Sequence, residues 1–169
     1  MPPASVTPGL APGVSHAGMR HRQAIALLSV VGFLISGYLW LHAVGVIGEL
    51  KCGTGSCEVV QSSSYARVAG VPVAFFGVVG YLALFITALI GLQPSFLPKR
   101  NLSVLLAALA TGGLLFTGYL TYLEAFVIHA WCRWCLGSAG IIAVIWVVSV
   151  LGAVRQTDSS SPPSPRTGP

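Results

Sequence analysis

Four long apolar runs fix what this chain can fold into: Ile25 to Gly48, Val71 to Leu92, Leu102 to Leu123 and about Trp134 to Val154. A helix crosses the ~30 Å hydrocarbon layer of a bilayer with about 20 apolar residues, and each run reaches that length. Hydrophobic residues make up 54% of the 169 and charged residues only 8%, where soluble domains carry about 25% charged residues. The expected fold class is therefore an all-α integral membrane protein, a four-transmembrane-helix bundle forming one domain over residues 23–154. Short connections leave no room for a separate soluble catalytic domain.

The flanks carry little functional information. Residues 1–22 hold a Pro/Gly/Ala/Ser-rich stretch, and 155–169 contain Ser-Ser-Ser-Pro-Pro-Ser-Pro; without a periodic apolar face both are expected to be disordered. The first run follows Arg20-His21-Arg22 and outlasts the apolar region of a cleavable leader, so it is expected to act as an uncleaved signal anchor. Arg20 and Arg22 before the first run, Lys99 and Arg100 between the second and third, and Arg155 after the fourth put both termini in the cytoplasm by the positive-inside rule. Asn101-Leu-Ser103 then faces the cytoplasm and reads as a helix start rather than a glycosylation site.

The opposite, exported face carries Glu49, Lys51, Glu58, Arg67, Glu124 and Arg133, a balanced set. The formal charge of +5 is thus topological; it suits contact with an anionic inner leaflet of the lipid bilayer and gives no footing for nucleic-acid binding.

All four cysteines fall on the exported side, where disulfides form and persist. Cys52 and Cys57 enclose Gly53-Thr54-Gly55-Ser56, a loop flexible enough to bring its two sulfurs together. Taken alone, such a pair serves equally well as a structural staple. Cys132 and Cys135 form a C-x-x-C at the mouth of the fourth run. At a helix start the first thiolate is stabilised by unpaired backbone N–H groups and the helix dipole, and Arg133 adds a nearby positive charge. Four cysteines can also hold a metal, but the C-x4-C spacing of the loop fits zinc knuckles poorly, and no metal ligand is assigned.

Disulfide exchange passes oxidising equivalents between dithiols, and the electrons must finally leave on something other than sulfur. A membrane quinone suits that need: it takes two electrons and two protons and resides in the bilayer. Its site would lie beside Cys132 and Cys135, with the loop pair as carrier to an aqueous partner.

Several segments together resemble the vitamin K epoxide reductase family, in particular its bacterial quinone-linked members. They are Cys52-Gly-Thr-Gly-Ser-Cys57 followed by Glu-Val-Val-Gln-Ser62-Ser63-Ser64-Tyr65, then Gly70-Val-Pro-Val and Gly77, and Tyr122-Leu-Glu-Ala-Phe-Val-Ile-His-Ala-Trp-Cys132-Arg-Trp-Cys135, within residues 25–154. The resemblance implies a four-helix bundle around a quinone, with a short half-helix after Cys57 in the first exported loop. It implies that Cys135 donates electrons to the quinone, that Cys132 exchanges with the Cys52/Cys57 pair, and that Ser63 lies near the quinone.

By residue type alone Ser62, Ser63 and Ser64 read as a solvated turn. Phe116, Leu120, Leu123 and Val127 share one helical stripe that either walls the quinone or packs the bundle; Phe116 and Leu120 are taken as pocket residues. His42 and His129 are placed for proton transfer or simply for the membrane interface.

The chain departs from the family in two ways. Many bacterial relatives carry a fused thioredoxin-like domain after an additional helix, whereas this sequence ends in its Pro/Ser tail, so the thiol partner is expected in trans. Relatives acting on the epoxide carry a tyrosine just after the second motif cysteine, where this chain has Leu136, Gly137, Ser138 and Ala139.

The leading expectation is an oxidoreductase that reoxidises a DsbA-like or thioredoxin-like exported protein and reduces menaquinone or ubiquinone. A DsbB-like oxidase has the same complement of helices and cysteines with the order of the two pairs reversed. A disulfide-stapled assembly subunit or metal carrier is the non-enzymatic alternative.

Overall fold

The computed structural model describes residues 16–93 and 99–158. Four long helices cover most of them: α1 at His16–Ala43, α3 at Val73–Leu92, α4 at Lys99–Leu123 and α5 at Arg133–Asp158. Each contains a membrane-length apolar stretch, at Arg20–Ala43, Val73–Leu92, Asn101–Ile128 and Arg133–Val154. These sequences are helical because hydrocarbon offers no partner to a backbone N–H or C=O, so every such group must be bonded inside its own segment. The connection between α1 and α3 holds the short helix α2 at Cys57–Ser62, the half-helix expected after Cys57. A 3-10 turn follows at Ser64–Ala66. A two-residue antiparallel ladder, β1 (Arg67–Val68) on β2 (Val71–Pro72), pairs Arg67 with Pro72 and Val68 with Val71. It is a small exception to the all-α expectation, made possible by Ala69 and Gly70 in left-handed conformation at its turn.

The helices close into a ring in which α1 packs on α3, α3 on α4, α4 on α5 and α5 on α1. Leu27, Leu34 and Leu115, each more than 60% exposed, point outward; an apolar rim of this kind is the lipid-facing surface of a membrane bundle. Inside, small residues let the backbones approach. Ala88 and Ala110 are completely buried within one core that also holds Ile25, Leu84, Leu106 and Ile145. Gly32 of α1 lies flat against the Tyr81 ring of α3, where even a methyl group would overlap the ring. A second core, made by Leu39, Leu50, Cys57, Val60, Ala74, Ala130 and Cys132, fills the cysteine end.

The helix limits depart from the apolar runs in physically informative ways. The first helix stops at Ala43 rather than Gly48, because Gly45 turns the chain at φ 79° and Arg67 Nη2 donates to the freed Ala43 carbonyl at 3.0 Å. At its other end α1 reaches back to His16, so residues 16–22 are helical and not the disordered terminus that composition suggested. Arg22, expected only as a cytoplasmic charge, is buried and donates to the Gly91 carbonyl and, at 3.3 Å, to Ser103 Oγ. One guanidinium thus ties the start of α1 to the end of α3 and the start of α4. Asn101 and Ser103 lie in the opening turns of α4, as a helix start should. The last helix likewise passes Val154 and continues to Asp158. The remaining tail expectations, at 1–15 and 159–169, lie outside the described residues.

Tyr81 cannot retreat from Gly32 without losing its hydroxyl contacts to Ser138, at 2.8 Å to the carbonyl and 2.9 Å to the side chain. Gly32→Ala is therefore expected to destabilise the bundle by about 1–3 kcal/mol through overpacking. A thermal-unfolding comparison in detergent checks this; an unchanged midpoint would mean that the α1–α3 approach is not tightly packed.

Candidate redox site

The C-x-x-C is set by an irregular break between α4 and α5. After Leu123 the helix widens into a π-helical turn at Glu124–Ile128 and ends at His129, whose φ of 54° is left-handed. His129 N–H and Ala130 N–H both donate to the Glu124 carbonyl, the latter at 3.1 Å. The chain then turns back into the bundle, placing Cys132 immediately before α5. Leu136 N–H makes the first helical bond to the Cys132 carbonyl at 2.9 Å, and Cys135 N–H donates to Cys132 Sγ at 3.3 Å. The sulfur therefore occupies the position where a capping oxygen usually sits.

These donors have an electrostatic consequence. The Cys132 thiol is held below its ordinary pKa, first by the hydrogen bond from the Cys135 thiol and then by the N–H groups of Cys135 and Trp134, against burial and the nearby Glu124, which push it up. The helix-start stabilisation expected from the motif is present. Arg133 is used differently: its Nη1 donates to Thr54 Oγ1 at 2.7 Å and so fastens the opposite loop.

That loop carries the Cys52–Cys57 disulfide, with Cα atoms 6.1 Å apart, while Cys132 and Cys135 are free thiols. Gly53 and Gly55 adopt positive φ, 61° and 147°, and the Gly55 position is crowded by Arg133 Cγ and the Trp131 carbonyl. Glycine is what allows the loop to lie this close. It is pinned by Ser56 N–H to the Trp131 carbonyl at 3.0 Å, Trp134 Nε1 to the Lys51 carbonyl at 3.2 Å, and Leu50 N–H to Glu58 Oε1 at 2.9 Å. Cys57 and Cys132 are 1% and 0% exposed and share one apolar cluster. Cys132 is completely buried beneath the loop.

Cys135 opens the other way, onto a cavity of ≈ 540 Å³. Phe116 and Leu120 line it, as do Tyr81, Gln61 and Glu124, and its α4 wall runs from Thr121 down to Leu105, about 24 Å along the helix. Gly80 and Gly112 on its wall leave open space where a side chain would stand. Ser63 lines an adjoining hollow of ≈ 30 Å³ with Leu123 and Cys135, and its hydroxyl donates to the Val60 carbonyl at 2.7 Å. Val127 leaves the expected stripe: it is 41% exposed and lines neither space, because the π turn rotates the residues after Leu123 out of the 3.6-residue phase.

Two polar residues of the site escaped the sequence reading. Glu124, grouped there with the exported charges, is 3% exposed; its Oε2 accepts from Cys132 N–H at 3.1 Å. The available signal was a lone carboxylate inside an otherwise apolar run, which is costly in a membrane and usually functional. Gln61, four residues after Cys57 and hence on the same face of α2, places Nε2 3.7 Å from Cys135 Sγ. The histidines stand apart from the cavity: His42 bridges the Gly48 carbonyl at 2.7 Å and Glu58 at 3.5 Å, and His129 is exposed. Among the described residues Glu124, Cys132 and Cys135 bring three potential ligand atoms within 4.8 Å of one another, but the loop sulfurs are joined to each other and do not complete a four-thiolate set.

A disulfide packed against a buried dithiol, one sulfur of which faces an apolar cavity between membrane-spanning helices, defines a membrane thiol oxidoreductase. Residues 23–150 match the model of the Vitamin K epoxide reductase family, and the chain belongs to that family. It is a multi-pass membrane protein.

The Arg133–Thr54 bond is exposed and worth about 1 kcal/mol. Thr54→Val should therefore raise the alkylation rate of Cys132 about fivefold with the loop disulfide intact. Mass-spectrometric counting of modified Cys132 measures it. In the wild type the alkylation rate should reach half its plateau below pH ~8.5, the ordinary thiol value. If neither the rate nor the midpoint differs from that of an unshielded thiol, the loop does not guard Cys132.

Proposed function

We propose that the protein reoxidises a DsbA-like or thioredoxin-like exported protein and passes the electrons to a membrane quinone, menaquinone or ubiquinone, so that disulfide bonds can continue to form outside the cytoplasm. The observation that carries this reading is the opposite outlook of the two C-x-x-C sulfurs: Cys132 lies against the loop disulfide cluster and Cys135 lies on the membrane cavity. Electrons entering at one sulfur can leave from the other.

In this reading a thiolate of the partner attacks Cys52, the more accessible loop sulfur, and releases Cys57. The partner's second thiol resolves the mixed disulfide and leaves both loop thiols reduced. Cys57 then attacks Cys132 of the oxidised Cys132–Cys135 pair, Cys135 leaves as thiolate, and Cys52 closes the loop disulfide again. The combination of a Cys52–Cys57 disulfide with two free C-x-x-C thiols corresponds to the stage just after this exchange. Oxidation of the dithiol by the quinone completes the cycle: two electrons and two protons pass to the quinone, and the partner leaves with its disulfide.

Phe116 and Leu120 would pack the quinone ring near Cys135, and Ser63 would border the ring from the α2 side. A cavity that follows α4 for much of its length suits an apolar tail as well as a ring. The distribution of basic residues supports both termini in the cytoplasm and both cysteine pairs on the exported side.

Cys132→Ser and Cys135→Ser should each reduce quinone turnover to the uncatalysed background, since either change destroys the two-electron couple. Cys52→Ala and Cys57→Ala should abolish turnover of the protein partner while leaving the Cys132–Cys135 pair oxidisable by quinone. Purified variants assayed for quinone absorbance and for the trapped thiol state of each pair separate these outcomes. Normal turnover by Cys135→Ser, or loop variants that still oxidise the partner, would overturn the proposal.

A further inference from the structure

In the proposed cycle a proton must travel between sulfur and quinone within a mostly apolar cavity. Each turnover moves two protons with two electrons, yet neither His42 nor His129 lines the cavity. Glu124 does. Its carboxylate is buried, lines the same cavity as Cys135, lies with both C-x-x-C sulfurs inside a 4.8 Å cluster, and is in hydrogen-bond contact with the Cys135 thiol.

A structural role alone accounts for only part of this placement. One carboxylate oxygen accepts from Cys132 N–H, which an uncharged amide would do as well. A carboxylate in a membrane interior is costly unless its charge or its proton is used, and no basic side chain faces it among the described residues. The titratable groups around it are Cys132 and Cys135 before and within α5 and Tyr81 of α3 across the cavity, the last already bonded to Ser138. From α2 it meets the Gln61 amide, and from α1 the cavity wall is Ser36 and Leu39.

We infer that Glu124 is the general base and acid of the quinone step, taking the proton from the Cys135 thiol and delivering it to a quinone oxygen. The inference rests on the reading of Cys135 as the sulfur that meets quinone. The reaction balances as follows. The Cys135 S–H bond breaks as the Glu124 O–H bond forms; Cys132 thiolate attacks Cys135 sulfur as the S–S bond closes, and the electron pair passes to the quinone. Glu124 gives its proton to the quinone oxygen and is a carboxylate again. The quinone takes its second proton from water at the membrane surface and leaves as quinol.

Glu124→Gln keeps the acceptor for Cys132 N–H and removes the exchangeable proton. In the full-length protein in detergent, with a water-soluble short-tailed quinone, the single-turnover rate of quinone reduction by the Cys132–Cys135 dithiol should fall about 100-fold. The pH profile is the reading that mere positioning would not change. Wild type should lose rate as pH falls through the titrations of Cys132 and Glu124 and be flat above both. The Gln variant should instead climb roughly tenfold per pH unit, because Cys135 must ionise unaided. Glu124→Asp, which keeps the carboxylate on a shorter arm, should recover part of the rate and the wild-type profile shape, and it decides the matter if the Gln variant does not assemble. Exchange between the loop pair and Cys132, followed without quinone, should change far less than the quinone step in both variants. A Gln variant with wild-type rate and profile overturns the inference, as does an Asp variant with the steep profile or an equal loss in both steps. A wild type that does not reduce quinone at all instead removes the parent reading.

Discussion

The break between α4 and α5 must satisfy its backbone polar groups where little water is available, and Glu124 meets most of that demand. Its carbonyl accepts from His129 N–H and Ala130 N–H, and its carboxylate accepts from Cys132 N–H. Without these acceptors the segment would carry buried, unpaired donors, each costing about 1–3 kcal/mol. The π turn that puts Glu124 in this position also fixes where the chain re-enters the bundle. The location of Cys132 under the loop and of Cys135 on the cavity both follow from it.

The bundle is divided along its length between two kinds of cohesion. Away from the cysteines, Ile25, Leu84, Ala88, Leu106, Ala110 and Ile145 pack with little polarity, and close approach of small residues supplies dispersion contacts in place of a hydrophobic driving force that lipid does not provide. At the cysteine end charged side chains hold backbone or loop: Arg67 caps α1, Glu58 holds Leu50, and Arg133 holds Thr54. A chain with so few charges spends them where the structure is irregular. The loop is consequently ordered in part by bonds that water can replace one at a time, the condition for local opening without loss of the bundle.

Much of this was legible in the sequence because the governing signals are local. Membrane-length apolar runs gave the four spans, the glycines between Cys52 and Cys57 gave a loop able to close a disulfide, and the C-x-x-C gave a helix start. Phe116 and Leu120 were found from simple periodicity because α4 is regular through them. Val127 was misplaced because a π turn changes the phase without any mark in local composition. Arg22 and Glu124 were read as solvated charges for a related reason: their burial depends on Gly91 and Ser103 in one case and on the returning Cys132 in the other. Contacts between residues distant in sequence decide that, and periodicity carries no record of them.

The two thiols of the C-x-x-C begin as chemically identical groups three residues apart, and the fold makes them unlike. Cys132 lies at the origin of α5, where Cys135 N–H and the Cys135 thiol both donate toward its sulfur; charge on that sulfur is stabilised. Cys135 lies one turn into the helix, with Gln61 and Glu124 as its polar neighbours and an apolar cavity before it. Negative charge is therefore favoured on the sulfur nearer the loop disulfide. Disulfide exchange requires a thiolate, and Cys132 is the sulfur on which the fold favours one. The asymmetry arises from where the helix starts rather than from any difference between the residues themselves.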